Sequence, residues 1–144
     1  MHDPRLDKLA RVLIQHSTEL QPGETILIET FDIPEDMTIA LIRAAREAGG
    51  IPLVSTKHNR IQRELLHAGD ETGLKTIGQH EAFRMEKVQA YIGLRGSSNI
   101  AELSDVPAEA MKHYQKHWLD PVHFQIRVPK TKWVVLRWPS SSTA

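Results

Sequence analysis

Cysteine does not occur among the 144 residues. Disulfides, thiolate metal sites and a cysteine nucleophile are therefore excluded, and the composition is compatible with a reducing cytoplasm. Charge of one sign is also not in excess, because eighteen basic side chains offset eighteen acidic ones and the sequence pI is ≈ 7.1. That balance removes the usual electrostatic argument for a nucleic-acid or anionic-membrane partner. No run reaches the roughly 18 apolar residues that a membrane-spanning helix needs. The charged opening MHDPRLDKLARV lacks the apolar stretch and small-residue cleavage site of a secretory signal. A soluble, cytoplasmic protein is expected. Phosphate-loop and dinucleotide glycine patterns are missing, as is the GxSxG elbow of serine hydrolases, so neither nucleotide chemistry nor a hydrolytic triad has a signature here.

What is present reads as one globular domain. Hydrophobic residues make up 40% and charged residues 25%, enough apolar material for a real core in a chain of single-domain length. Asp3 and Pro4 suit an N-cap and first helical position, and Leu6, Leu9, Ala10 and Leu13 mark one buried face. Ile26-Leu27-Ile28, within a strand from Thr25 to Glu29, is apolar on both faces, as a central parallel strand should be. Pro34 opens a second helix with Met37, Ala40, Leu41, Ala44, Ala45 and Ala48 in a stripe, closed by Gly49-Gly50. Ile51 to Ser55 follows as a strand whose Pro52, near its start, favours an edge or a strand beginning there. Helices are expected from Asn59 and from about Glu71 to Lys87, separated at Gly69-Asp70 and with Gly73 and Gly78 as interruptions. A strand from Ala90 to Leu94, a loop from Arg95 to Asn99 and a helix near Pro107 come next. Asp120 to Val128 alternates like a strand yet opens like a helix, and helix is the reading adopted. Trp133-Val134-Val135-Leu136, inside a last strand from Lys132 to Trp138, reads as fully buried.

Strands alternating with helices point to βαβ units. The expected fold is an α/β open, mostly parallel sheet of about four or more strands with helices on both faces.

Two groups of residues carry candidate chemistry. His113 and His117 stand four apart on a predicted helix, which puts both rings on one face at the spacing of helical zinc sites. The glutamate of an HExxH motif is missing between them, and Lys112 and Lys116 flank the pair, so two titratable surface histidines are the competing account. Arg95, Gly96, Ser97 and Asn99 leave the end of a strand, where α/β sheets place ligands. Small residues there let backbone N–H groups converge and Arg95 offers a two-pronged anion contact. The competing accounts are a structural turn in which Arg95 pairs with Glu102 or Asp105, and a loop facing a further domain or a subunit partner, where it would help shape a substrate cavity. Glu35-Asp36, Asp70-Glu71 and Asp105 fall at predicted helix starts and read as caps. Trp118, Trp133 and Trp138 read as core or interface, with Trp138 the one expected to be exposed if a partner domain were removed.

The joint order of LDKLARVLI, QPGETILIET, AGGIP, YIGLRGSSNIAELSDVP and DPVHFQIRVPKTKWVVLRWP resembles the amino-terminal half of the aminopeptidase T and aminopeptidase S family of metallo-aminopeptidases. The resemblance implies a two-domain, homodimeric, leucyl-aminopeptidase-like hydrolase of peptides that uses two divalent metal ions, zinc, cobalt or similar. It also implies that the metal ligands lie in a carboxy-terminal catalytic domain with no counterpart here. Residues 1–139 are then the amino-terminal α/β domain and residues 140–144 a frayed tail or the start of a linker. On this reading the chain alone holds no catalytic residue, expects no cofactor and is inactive. The alternative is a stand-alone, non-catalytic α/β module for a small anion or nucleotide.

Overall fold

The computed structural model describes residues 3–96 and 105–139. Helix α1 (Pro4–Val12) is capped by the Asp3 carboxylate, which accepts from the Arg5 amide, and it widens into a π-helical turn over Leu13–Ser17. Strand β1 (Thr25–Phe31), helix α2 (Glu35–Glu47), strand β2 (Ile51–Lys57), helices α3 (Asn59–Ala68) and α4 (Glu71–Met85), and strand β3 (Ala90–Gly96) follow in order. Helix α5 (Ala108–Tyr114) runs into a π-helical segment, Gln115–Arg127, and a last turn, Val128–Lys130, before strand β4 (Lys132–Trp138).

The four strands form one parallel sheet in the order β2-β1-β3-β4. Residues of alternating parity divide between its two faces. Ile26 and Ile28 of β1 join Ala90, Ile92 and Leu94 of β3 in a core covered by α1 and α2. Leu27 and Tyr91 face the other way, into a core with Leu66, Leu74, Met85, Ala110, Trp118 and Val122 from α3, α4, α5 and the π-helical segment. The expected open α/β sandwich with helices on both faces is therefore present. Pro52 does lie in an edge strand, since β2 pairs only with β1.

Several expectations need correction. Strand β4 is an edge among the described residues: Trp133 is 40% exposed and Val134 to Leu136 are half-buried, because only β3 flanks them. Trp138 packs on the α1/α2 core, so Trp133 rather than Trp138 is the exposed ring. Strands β1 and β2 run two residues further than the apolar runs suggested, to Phe31 and Lys57. Helix α4 continues through both Gly73 and Gly78. Asp120 to Val128, by contrast, is helical as expected, and the π-type widening accommodates Pro121 inside the segment.

Candidate functional site

The chain passes from β1 outward to β2 and then back across to β3, so the carboxyl ends of β1 and β3 meet at the topological switch point where open α/β sheets receive ligands. Close backbone approach closes this end. A Cβ on Gly96 would stand 2.4 Å from the Asp32 carbonyl oxygen. Asp32, with φ 53°, turns its carboxylate back to accept from the Asn59 amide and side-chain nitrogen at 2.8 Å and to meet His58 Nδ1 at 2.9 Å. Asn59 also donates to the Gly96 carbonyl at 2.6 Å, which ties α3 to the end of β3.

A cavity of ≈ 270 Å³ opens beside this knot, lined among others by Glu29, Lys57, Arg95, Trp118, His123 and Arg127. Side chains two apart on a strand share a face, so Glu29 and Phe31 of β1 look the same way as Tyr91, Gly93 and Arg95 of β3. Glu29 pairs in register with Gly93. A Cβ on Gly93 would lie 2.8 Å from the Tyr91 hydroxyl, and its absence lets the phenol pass over and donate to Glu29 Oε1 at 2.7 Å.

Glu29 is buried at 2% exposure and is the centre of a charge cluster. Lys57 Nζ lies 3.2 Å from Oε2, and the Arg95 and Arg127 guanidinium groups lie 3.5 and 3.8 Å from Oε1. Burial alone would raise the Glu29 pKa. Lys57, Arg127, Arg95 and the Tyr91 hydroxyl outweigh it and hold the carboxyl at about 2. Burial and the Glu29 charge push the Tyr91 phenol well up, so it stays a donor. Lys57 also reaches Glu81 Oε2 at 2.6 Å, and Trp118 donates to Glu81 Oε1 at 2.9 Å. Burial, then Arg127 and Arg95, lower the His123 pKa. Its neutral ring accepts from Arg127 Nη1 through Nδ1 at 3.2 Å, which assigns its proton to Nε2.

Aromatic faces hold the same cations. Arg127 sits 3.7 Å from the Tyr91 ring centroid, Arg95 4.4 Å from that of Phe31, and Lys57 5.0 Å from that of Trp118. Three cations thus face two carboxylates, Glu29 and Glu81, and the buried Arg127 Nε has no hydrogen-bond partner among the described residues. Such a cavity favours an anion or a polarised carbonyl oxygen and disfavours a metal ion.

A second group lies where α4 meets α5. Glu71 Oε2 stands 3.0 Å from His113 Nδ1 and 3.1 Å from His117 Nε2. The hydrogen bond from His117 and the nearby His113 hold the Glu71 carboxyl below its ordinary range.

The sequence-selected residues are therefore distributed over two places. Arg95 and Gly96 belong to the end of β3, and of the two Arg95 lines the cavity, while Ser97 and Asn99 lie outside the described residues. Arg95 pairs with Glu29 and accepts no role with Asp105, which is held by Arg63 and His67 rather than capping a helix; Glu102 is outside the described residues. Asp70 caps α4 as expected, accepting from the Thr72 and Gly73 amides. His113 and His117 do share a face, and Glu71 joins them from another helix. Sequence reasoning missed Glu29, Lys57, Tyr91, Glu81 and Arg127. One signal was available: Glu29 interrupts a run that is otherwise fit for a doubly covered strand.

The sequence profile of the thermophilic metalloproteases (M29) matches residues 2–144. The chain belongs to that family. Among solved structures, wild-type AmpT from Thermus thermophilus is similar with a TM-score of 0.70 at 19% identity, over 95% of this chain and 36% of that one. The M29 chain thus spans about a third of the length of AmpT, and that likeness concerns the fold. A transcription-repressor structure of the LacI family from Corynebacterium glutamicum also aligns, at 12% identity over 96% of this chain and 63% of that one, but its TM-score of 0.38 carries no argument. None of the curated proteins compared with the chain matches it significantly.

Membership of the M29 family implies divalent metal ions in the whole enzyme. A pair of ions that share an activated water needs several convergent carboxylates and imidazoles. Among the described residues only Glu71, His113 and His117 bring three ligand atoms together. Three donors suit one ion and do not fit a pair. No helix among the described residues is long and apolar enough to cross a membrane.

Proposed function

We propose that residues 1–139 are the amino-terminal scaffold domain of a two-domain, leucyl-aminopeptidase-like enzyme that removes N-terminal residues from peptides. The family match over residues 2–144 carries this reading. Catalytic ligands would belong to a carboxy-terminal domain, the working enzyme would be a cytoplasmic homodimer, and this chain alone would be inactive. Two divalent ions, zinc or cobalt, would supply Lewis-acid activation of water and of the first peptide carbonyl.

The part of this chain is to bind and orient. The switch-point cavity would form one wall of the substrate space, with Arg95, a third exposed, presented to the carboxylate of a short peptide. Glu29 would hold Arg95 in place while the Tyr91 hydroxyl donates to Glu29 and accepts from Arg95 Nη2, so the guanidinium meets substrate already oriented.

Arg95→Met in the two-domain protein is expected to raise KM for a dipeptide by about tenfold, the range of one charge-assisted hydrogen bond, while KM for the corresponding dipeptide amide stays nearly unchanged. Equal effects on acid and amide would remove the carboxylate role. A second reading, the stand-alone small-anion module, draws on the cation excess and on an Arg127 Nε without a hydrogen-bond partner among the described residues; it predicts that phosphate or acetate raises the Tm of this chain well beyond chloride at matched ionic strength.

A further inference from the structure

We infer that Glu71, His113 and His117 form a binding site for one divalent transition-metal ion, with zinc the best match, at the junction of α4 and α5. The three ligand atoms lie within 4.8 Å of one another. Glu71 Oε2 is 3.0 Å from His113 Nδ1 and 3.1 Å from His117 Nε2. Around a tetrahedral zinc with bonds of about 2.0–2.1 Å, ligand atoms stand about 3.3–3.4 Å apart. The two contacts to Glu71 need open by only a few tenths of an ångström, and the imidazoles need only close on each other. Their rings are already near parallel, with centroids 6.2 Å apart and planes inclined by 25°.

The backbone frame behind the ligands is fixed on both sides of the site. Gly69, in the left-handed region at φ 58°, brings the chain before α4 so close to α5 that an added Cβ would be 2.9 Å from the Ala110 Cβ. Glu71 follows two residues later and His113 three residues after Ala110. At the other side, a Cβ on Gly78 would stand 1.8 Å from the His117 carbonyl oxygen. Gly78 is seven residues, or two helical turns, beyond Glu71 and so on the same face of α4. These two glycine contacts set the register of the helices, which is the preorganisation a metal site requires.

The donor set selects the ion class. Two imidazoles and one carboxylate suit zinc, cobalt, nickel or copper and are poor for magnesium or calcium, which prefer oxygen. The Glu71 side chain is 54% exposed against 25% and 14% for the histidines, so the fourth position faces solvent and takes water. Lys116 acts on Glu71 from beside the pair and opposes a cation, which keeps the affinity moderate.

Titration of the whole chain with zinc by calorimetry, and with cobalt by its visible ligand-field bands, tests the site without reference to peptidase activity. One equivalent is expected to bind with tetrahedral cobalt bands that zinc displaces, and zinc is expected to raise Tm. Loss of an outer-shell partner alone costs about 10- to 100-fold in metal affinity, so His113→Ala, His117→Ala and Glu71→Gln should each weaken binding by at least about 100-fold. His80→Ala, at an exposed position of α4, should leave it unchanged. Circular dichroism establishes that each variant is folded, and Glu71→Gln, the most exposed of the three, is the variant least able to disturb the helices. Absence of saturable binding at millimolar zinc, or one-equivalent binding that survives these substitutions, overturns the assignment.

Discussion

Glu29→Gln is expected to destabilise the chain by about 3–5 kcal/mol, the range for removing one partner of a buried ion cluster. The neutral amide keeps the volume but leaves Lys57, Arg95 and Arg127 facing one another with only Glu81 as counter-charge. The same residue predicts an acid limb. Its folded carboxyl titrates at about 2 against an ordinary value of 4.5. A lowered folded pKa means that the unfolded chain takes up the proton first as pH falls. The stabilisation is therefore complete above pH 4.5 and is lost between 4.5 and about 2, and amounts to roughly 3 kcal/mol. Urea midpoints measured from pH 6 down to pH 2 should fall steeply in the native sequence and distinctly less in Glu29→Gln. A loss under 1 kcal/mol at neutral pH would mean that the three cations do not depend on this carboxylate.

Gly78→Ala should destabilise by about 3 kcal/mol, the upper end of the cost of overpacking. An alanine in a helix interior is ordinarily better than glycine by roughly 1 kcal/mol, so the expected sign is opposite to propensity. The cause is the 1.8 Å approach that a Cβ would make to the His117 carbonyl oxygen, a backbone atom that no side-chain rotation can clear. Helix α4 and the π-helical segment must separate, and with them Glu71 and its two histidines. Gly73→Ala is the internal control on the same helix, since its Cβ would meet nothing closer than Asp70 Cβ at 4.0 Å. That variant should be neutral or slightly stabilising. If thermal denaturation ranks the two variants equally, the close crossing at Gly78 is not what holds these helices.

The contrast between the two clusters shows what a sequence of this kind discloses. Local pattern sufficed for the elements: the alanine stripe of α2, the Asp70 cap of α4 and Pro52 in an edge strand are each set by neighbours within a few residues. The charge cluster is not local. Glu29 meets Tyr91 across 62 residues and Arg127 from a segment whose periodicity was ambiguous, and ending β1 at Glu29 disguised an acid in mid-strand as a strand terminus. Arg95 was legible as a switch-point residue because strand ends are visible, but its partner was not, since strand register decides that Glu29 lies opposite Gly93. The histidine pair was legible from its spacing of four. Its third member, Glu71, was not, because that contact depends on a helix crossing made possible by two glycines that read, in sequence, only as interruptions. The strand β4 error has a physical origin too: an apolar run reports what the strand is fit to bury, and among the described residues one side of it has no neighbour.

The proposed division of labour is tested most directly by hydrolysis of a leucine chromogenic substrate with added cobalt or zinc, comparing this chain with one continued through the proposed carboxy-terminal domain. The account predicts turnover by the longer protein alone. Turnover by the 144-residue chain would contradict the scaffold role, and inactivity of a folded, metal-loaded longer protein would contradict the aminopeptidase reading itself.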